Sequence, residues 1–388
     1  MTASTPPAAA PFELGVYVKR GITLVRGQGS RLWDDRGREY LDAMSAYGAA
    51  ILGHAHPALL AALTKQASTL SSCPGAFDHP ERARLMERLV RVSPTGLDRV
   101  FLCNSGAEAI EAALKCARAT TGRPNIVAAK RAFHGRSFGA MSVSFNPKSH
   151  ALFAPTLPGI RFVPFNSVEA LDAALDEETA VFLLELVQGE GGVHPAEAAF
   201  VEHARDRCRK YGILLAIDEI QTGFGRTGRL FACEHYGLSP DILCLAKGIA
   251  GGFPMGAILV GERARLPVGS HGSTFGGNPV ACAVANAVLD CLEAEGFIQE
   301  VEAKGKYFAG LLAELVVAPV TEVRGLGLMW GLQLGERVRP YLEALAASGV
   351  LAIPAGLKVI RLLPSLTTSR HELEEIALRL QKVLQAGR

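Results

Sequence analysis

Through the middle of the chain, short apolar runs alternate with longer stretches in which apolar positions recur every three or four residues. "DRVFLCN" (98–104), "PNIVAAK" (124–130), "TAVFLLEL" (179–186), "GILLAIDE" (212–219), "DILCLAK" (241–247) and "MGAILVG" (255–261) are near-continuous apolar runs. They lack the in–out alternation of a half-exposed strand, which predicts strands covered on both faces, as in a parallel or mixed sheet. "SGAEAIEAALKCARATTG" (105–122) sets Ala109, Ala113 and Cys116 at helical spacing, with Gly122 as C-cap. "EAAFVEHARDRCRKYG" (197–212) predicts an amphipathic helix between two of the strands. This alternation predicts an α/β fold: a three-layer large domain with a mostly parallel sheet, over 51–295.

The ends follow another pattern. "ITLVRGQGSRLWDDRGREYLD" (22–42) holds two short strand-like pieces joined by a hairpin-like "DDRG". From 296 onwards, helices alternate with short strands such as "GLMWGLQL" (327–334) and "KVIRLLP" (358–364). The segment 12–50 is expected to pack with a smaller α+β domain over 296–388. The first 11 residues, small, polar and Pro-rich, predict a disordered tail and lack the basic and apolar regions of a signal peptide. No apolar run reaches the ~20 residues of a membrane span.

Composition narrows the classes. With 388 residues, 40 basic and 38 acidic, the chain has room for two domains and a net charge of only +2. That balance gives no reason to expect a nucleic-acid surface. The eight cysteines form no C-x-x-C pair and several lie inside apolar runs. Free thiols in a reducing cytosol, and so a cytoplasmic location, are the expectation.

Candidate chemistry begins with Lys247, the one cation in "LCLAKGIAGGFPMGA". A lysine removed from water has a depressed pKa, which suits covalent carbonyl chemistry; a snorkelling surface lysine is the plainer alternative. Ser105, Gly106 and Ala107 stand where a helix would begin, an anion site by its free N–H groups or simply a capping box with Glu108. Asp218 ends an apolar strand, where ligands bind in open α/β sheets. Phe133 could stack on a flat ring and Arg136 could grip a carboxylate. Glu190 lies in a Gly-rich loop, Ser273 and Thr274 in "HGSTFGGNP", and Arg361 inside an apolar strand, where it needs an anionic partner. Gly223 to Gly228 match G-x-G-x-x-G, but four residues separate them from the strand end and no helix follows. His54 and His56 have no acidic or Cys set beside them, so no metal is expected.

Taken together, "NSGAEA", "FHGR", "QGEGG", "DEIQTGFGRTG", "AKGIAGG", "HGSTFGGNP" and "RGLGLM" resemble the class III, ornithine-aminotransferase-like group of fold-type I pyridoxal-phosphate-dependent aminotransferases. The likeness runs from about Gly15 to Leu384. It implies pyridoxal 5′-phosphate as cofactor, Lys247 as its Schiff-base and proton-moving lysine, and Asp218 paired with the ring nitrogen. It also implies Gln221 near the phenolic oxygen, Phe133 stacked on the ring, and Ser105, Gly106 and Ala107 at the phosphate. Thr274 would reach the phosphate of the neighbouring subunit, which implies a homodimer. Arg136 and Ser273 fall at the substrate, Arg136 on the carboxylate of an N-acylated amine. Arg361 would take the α-carboxylate of 2-oxoglutarate, and Glu190 would cover Arg361 when an ω-amine is bound. The chain is similar to the acetylornithine aminotransferases and to their lysine-pathway relatives that act on a precursor linked to an amino-group carrier protein. It departs from the family at Ile110, where asparagine is usual, and at Leu186, where proline is usual. Other chemistries on the same scaffold are ornithine or 4-aminobutyrate transamination, a semialdehyde aminomutase and a decarboxylase. A cofactor-free binding protein is the alternative outside enzymes.

Overall fold

The computed structural model describes residues 12–386, so the expected tail at 1–11 lies outside the described residues. Its central sheet has seven strands in the order Leu97–Cys103, Gly256–Gly261, Ile242–Leu245, Leu214–Asp218, Thr179–Leu184, Asn125–Ala129 and Ile160–Val163. The last five run parallel, and Gly256–Gly261 is antiparallel to both its neighbours. Six of these strands coincide with the apolar runs of the sequence; the edge strand Ile160–Val163 carries no such run.

Strand alternation divides the apolar side chains between two layers. Ala128, Leu183, Ala216 and Cys244 face the helix Gly106–Thr121 through Ala109, Ala113 and Cys116. Val127, Phe182, Ile217 and Leu243 join the other layer, with Phe200 and Ala204 of Ala198–Tyr211 and Val284 and Val288 of Pro279–Leu292. Gly122 and Gly212 end their helices in the left-handed conformation that glycine adopts without strain. All eight cysteines are free thiols.

Two smaller sheets flank this layer. One joins Leu24–Gln28, Arg31–Asp34 and Glu39–Asp42 to Val350–Leu351, so the early chain and the late chain share a sheet. The early segment therefore has three strands rather than two, and "DDRG" joins the second and third. The other sheet is antiparallel, in the order Val320–Leu326, Met329–Leu334, Val359–Leu362 and Ile353–Ala355. A small hairpin, Val187–Gln188 with His194–Pro195, carries the glycine-rich loop that contains Glu190. Among the described residues, no helix is long and apolar enough to cross a membrane.

Candidate active site

A cavity of about 300 Å³ opens at the carboxyl end of the central strands, a volume within the range of small-molecule sites. Ser105, Gly106, Ala107, Phe133, Asp218, Gln221 and Lys247 all line it. They arrive on four elements. The first turn of Gly106–Thr121 supplies one wall, the strands ending at Ala129 and Asp218 supply two more, and the strand Ile242–Leu245 delivers Lys247.

The Ser105 hydroxyl accepts the Glu108 amide at 3.2 Å and caps the helix. The reciprocal half of a capping box is displaced by one residue, since the Glu108 carboxylate takes the Asn104 amide at 2.9 Å. The amides of Gly106 and Ala107 precede the helix's own hydrogen-bond ladder, so they point donors at the cavity. A side chain at Gly106 would strike Ile220, its added carbon lying 2.9 Å from Ile220 Cδ1.

Lys247 is partly buried and makes no hydrogen bond or ion pair with any described residue. Its backbone is left-handed at φ +44°, a conformation that costs a non-glycine residue energy and is retained where surroundings fix it. Burial lowers its pKa from the ordinary 10.5, and the Arg361 cation adds to that; Asp218, Glu190 and Glu185 oppose it.

Asp218 is 4% exposed. One carboxylate oxygen bonds His134 Nδ1 at 2.7 Å and the other accepts the Ile220 amide at 2.9 Å. Burial alone would lower the His134 pKa, but the Asp218 hydrogen bond and charge, with Glu185, leave it raised. Glu185 also lines the cavity and accepts the Phe133 and Gly189 amides. Burial pushes its carboxyl up to about 7, against the pull of His134. His134 and Glu185 were not singled out by sequence reasoning. Both stand inside quoted stretches, "FHGR" and "TAVFLLEL", but their pairing depends on separations that a sequence does not carry.

The remaining candidates, Arg136, Glu190, Ser273, Thr274 and Arg361, do not line the cavity. Arg136 is exposed and stacks on the Phe133 ring, 5.4 Å from its centroid. Arg361 is fully buried and pairs with Glu190 at 2.5 Å. Arg361 also donates to Gln221 Oε1 at 3.1 Å, and Gln221 in turn donates to the Tyr47 carbonyl. Ser273 takes a hydrogen bond from Asn104, a cavity residue, at 3.0 Å. Thr274 is exposed and does not line the cavity of its own chain.

The G-x-G-x-x-G match has a structural explanation. Gly225 and Gly228 pack on Leu366 and Glu302, and Gly327 closes on the Thr227 backbone. The buried Arg226 guanidinium donates to the carbonyls of Leu328 and Pro364. The motif is an internal joint between segments. His54 bonds Asp42 at 2.7 Å, and among the described residues no three His, Cys, Asp or Glu side chains are grouped to hold a metal ion.

A lysine and an aspartate at adjacent strand ends, facing a helix N-terminus, lead to the comparison with known families. The family model for aminotransferase class III matches residues 16–384. This chain belongs to the class III aminotransferases. It is similar to a [LysW]-aminoadipate semialdehyde transaminase of Deinococcus radiodurans, 44% identical over 382 residues, covering 97% of this chain and 89% of that one. It is also similar to an acetylornithine aminotransferase of Bacillus cereus, 41% identical over 372 residues, covering 95% and 96%. Among solved structures, an ornithine aminotransferase of Toxoplasma gondii with PLP at partial occupancy superposes with TM-score 0.92 at 33% identity, covering 97% of this chain and 92% of that one. The chain is thus a transaminase of fold type I, and its cofactor is pyridoxal 5′-phosphate.

Proposed function

We infer that this aminotransferase takes the terminal amine of an N-acylated diamino acid, with N-acetylornithine first, and passes it to 2-oxoglutarate. The products would be N-acetylglutamate 5-semialdehyde and glutamate. The observation that carries this reading is the fully buried Arg361 held by Glu190 at 2.5 Å. A buried guanidinium is costly unless its donors are satisfied, and a carboxylate beside it offsets its charge as well. Glu190 supplies that anion while a terminal amine is bound, and the α-carboxylate of the keto acid replaces it in the second half of the cycle. One pocket then serves two substrates of different charge.

The chain's own residues fit the cofactor part by part. Free amides at Gly106 and Ala107, with the Ser105 hydroxyl, suit a phosphate. The buried Asp218 suits a protonated ring nitrogen, and Phe133 offers a flat wall. When bound, pyridoxal phosphate supplies an electron-withdrawing ring and a carbonyl carbon for amines. Lys247, with its lowered pKa, carries a proton to and from the substrate carbon. His134 holds Asp218 in orientation, and Gln221 ties Arg361 to the Tyr47 backbone. Arg136 would grip the carboxylate on the acyl end, with Ser273 nearby. Thr274, exposed on its own chain, would complete the phosphate site of a second copy within a homodimer.

A second reading has its own support: the relative from Deinococcus radiodurans is named for a carrier-linked substrate and is 44% identical. On that reading, the amine is a lysine or ornithine precursor linked to an amino-group carrier protein. Half-reaction titrations separate the two. Free acetylornithine at low concentration bleaches the cofactor's visible absorbance on the first reading. Bleaching by the carrier-linked amine alone supports the second, and bleaching by neither contradicts both.

A further inference from the structure

The "RGLGLM" motif takes no part in the site as described so far, yet its arginine is nearly buried and faces the loop that carries Glu190. Arg324 pairs across the sheet with Gly331, and Gly331 pairs with Arg361 on the next strand. Residues directly opposite in a sheet share a face. The two arginines therefore flank Gly331 in one row. The glycine is needed there, because a Cβ on it would lie 2.9 Å from Val193 Cβ. Val193 is fully buried above that glycine, and its backbone is left-handed at φ +57°, an outlying conformation for a β-branched residue. Arg324 Nε donates to the Gly192 carbonyl at 2.9 Å, and its other nitrogens bond Gln333 at 3.1 Å and Glu322 at 2.5 Å. Arg361 grips the same loop two residues earlier, through Glu190. At the hairpin base, Gln188 donates to the Lys130 carbonyl at 2.9 Å.

We propose that Arg324 is a positioning residue for the substrate switch: it clamps Gly192 over Gly331 and so fixes the pivot about which Glu190 engages or leaves Arg361. The inference rests on the Glu190–Arg361 reading given above. The loop is gripped at one fixed point and one exchangeable point. The Arg324–carbonyl bond persists in both halves of the cycle, because no substrate carboxylate competes for it. The Glu190–Arg361 contact is the one that opens. Without the clamp, Val193 relaxes out of its strained conformation and Glu190 loses its register on Arg361.

The test uses the cofactor-loaded protein with Arg324→Gln, Arg324→Lys, Glu190→Gln and the double variant Arg324→Gln/Glu190→Gln. Hydrogen exchange of amides 189–193 should quicken by ~10-fold or more in Arg324→Gln, as expected for losing a hydrogen bond to a charged donor. Exchange in the strand Leu214–Asp218 should not change. The half-saturating concentration of the amine should rise by a similar ~10-fold, while that of 2-oxoglutarate holds at its wild-type value. Arg324→Lys should recover part of both effects, and it keeps the test open if Arg324→Gln fails to fold. In the double variant, the ratio of the two half-reactions should equal that of Glu190→Gln alone. Unchanged exchange at 189–193, or an equal loss in both half-reactions, would overturn the clamp. If Glu190→Gln alone leaves the ratio at the wild-type value, the switch reading fails, and the exchange data still decide whether Arg324 holds the loop.

Discussion

At the scale of single residues, the site sets one unpaired cation among paired charges. Lys247 has no partner among the described residues, a left-handed backbone and a lowered pKa. Lys247→Ala should keep the melting behaviour of the parent and slow the half-reaction on the order of 10²–10⁴-fold, the usual share of a proton-transferring side chain. Full activity in that variant would remove the lysine from the chemistry. Glu185 gives a pH prediction. Its carboxyl is raised from 4.5 to about 7, so the folded state holds a proton that the unfolded chain releases in that interval. Its contribution is complete below pH 4.5 and declines as pH rises towards 7. Glu185→Gln should therefore gain stability relative to the parent between pH 5 and pH 8, read as a pH-dependent difference in denaturant midpoint. A constant difference would contradict the assignment. Lys247 and Asp218 were legible in the sequence because a charge ending an apolar run stands out. His134 and Glu185 were not: the histidine takes its meaning from a 2.7 Å contact made 84 residues away, and Glu185, inside an apolar run, from the Phe133 and Gly189 amides that it accepts.

At the scale of elements, the long apolar strands were legible because burial on both faces leaves no polar position in them. Ile160–Val163 escaped because it is a half-exposed edge strand interrupted by Arg161. The three early strands escaped in part because their first turn, at Gly29 and Ser30, is too short to divide the apolar pattern into two runs. The helix Gly106–Thr121 does two jobs at one end, capping itself and offering amides to the cavity. Ser105→Ala should cost ~1 kcal/mol of stability, as N-cap removal does. Ser167→Ala, at the cap of Val168–Ala174, should cost a similar ~1 kcal/mol. Only the first should also weaken retention of pyridoxal phosphate, measured by dialysis and residual absorbance. Equal retention in both would take Ser105 out of the phosphate site.

At the scale of the whole molecule, the cavity opens at the carboxyl end of the central sheet, and the late antiparallel sheet reaches its lining through the Arg361–Gln221 hydrogen bond. The central sheet supplies Asp218 and Lys247, and the late antiparallel sheet supplies Arg361. The proposed homodimer adds Thr274 from outside. A hybrid of a Lys247→Ala subunit with a Thr274→Ala subunit should regain activity through one intact site, because both defects fall in the other. No recovery on mixing would place Thr274 in its own chain. The most direct measurement of the central claim is borohydride reduction of the protein loaded with pyridoxal phosphate, followed by peptide mapping. The expected result is a pyridoxyl group on the peptide containing Lys247 and on no other lysine. A pyridoxyl group on a different lysine, or on none, would contradict it.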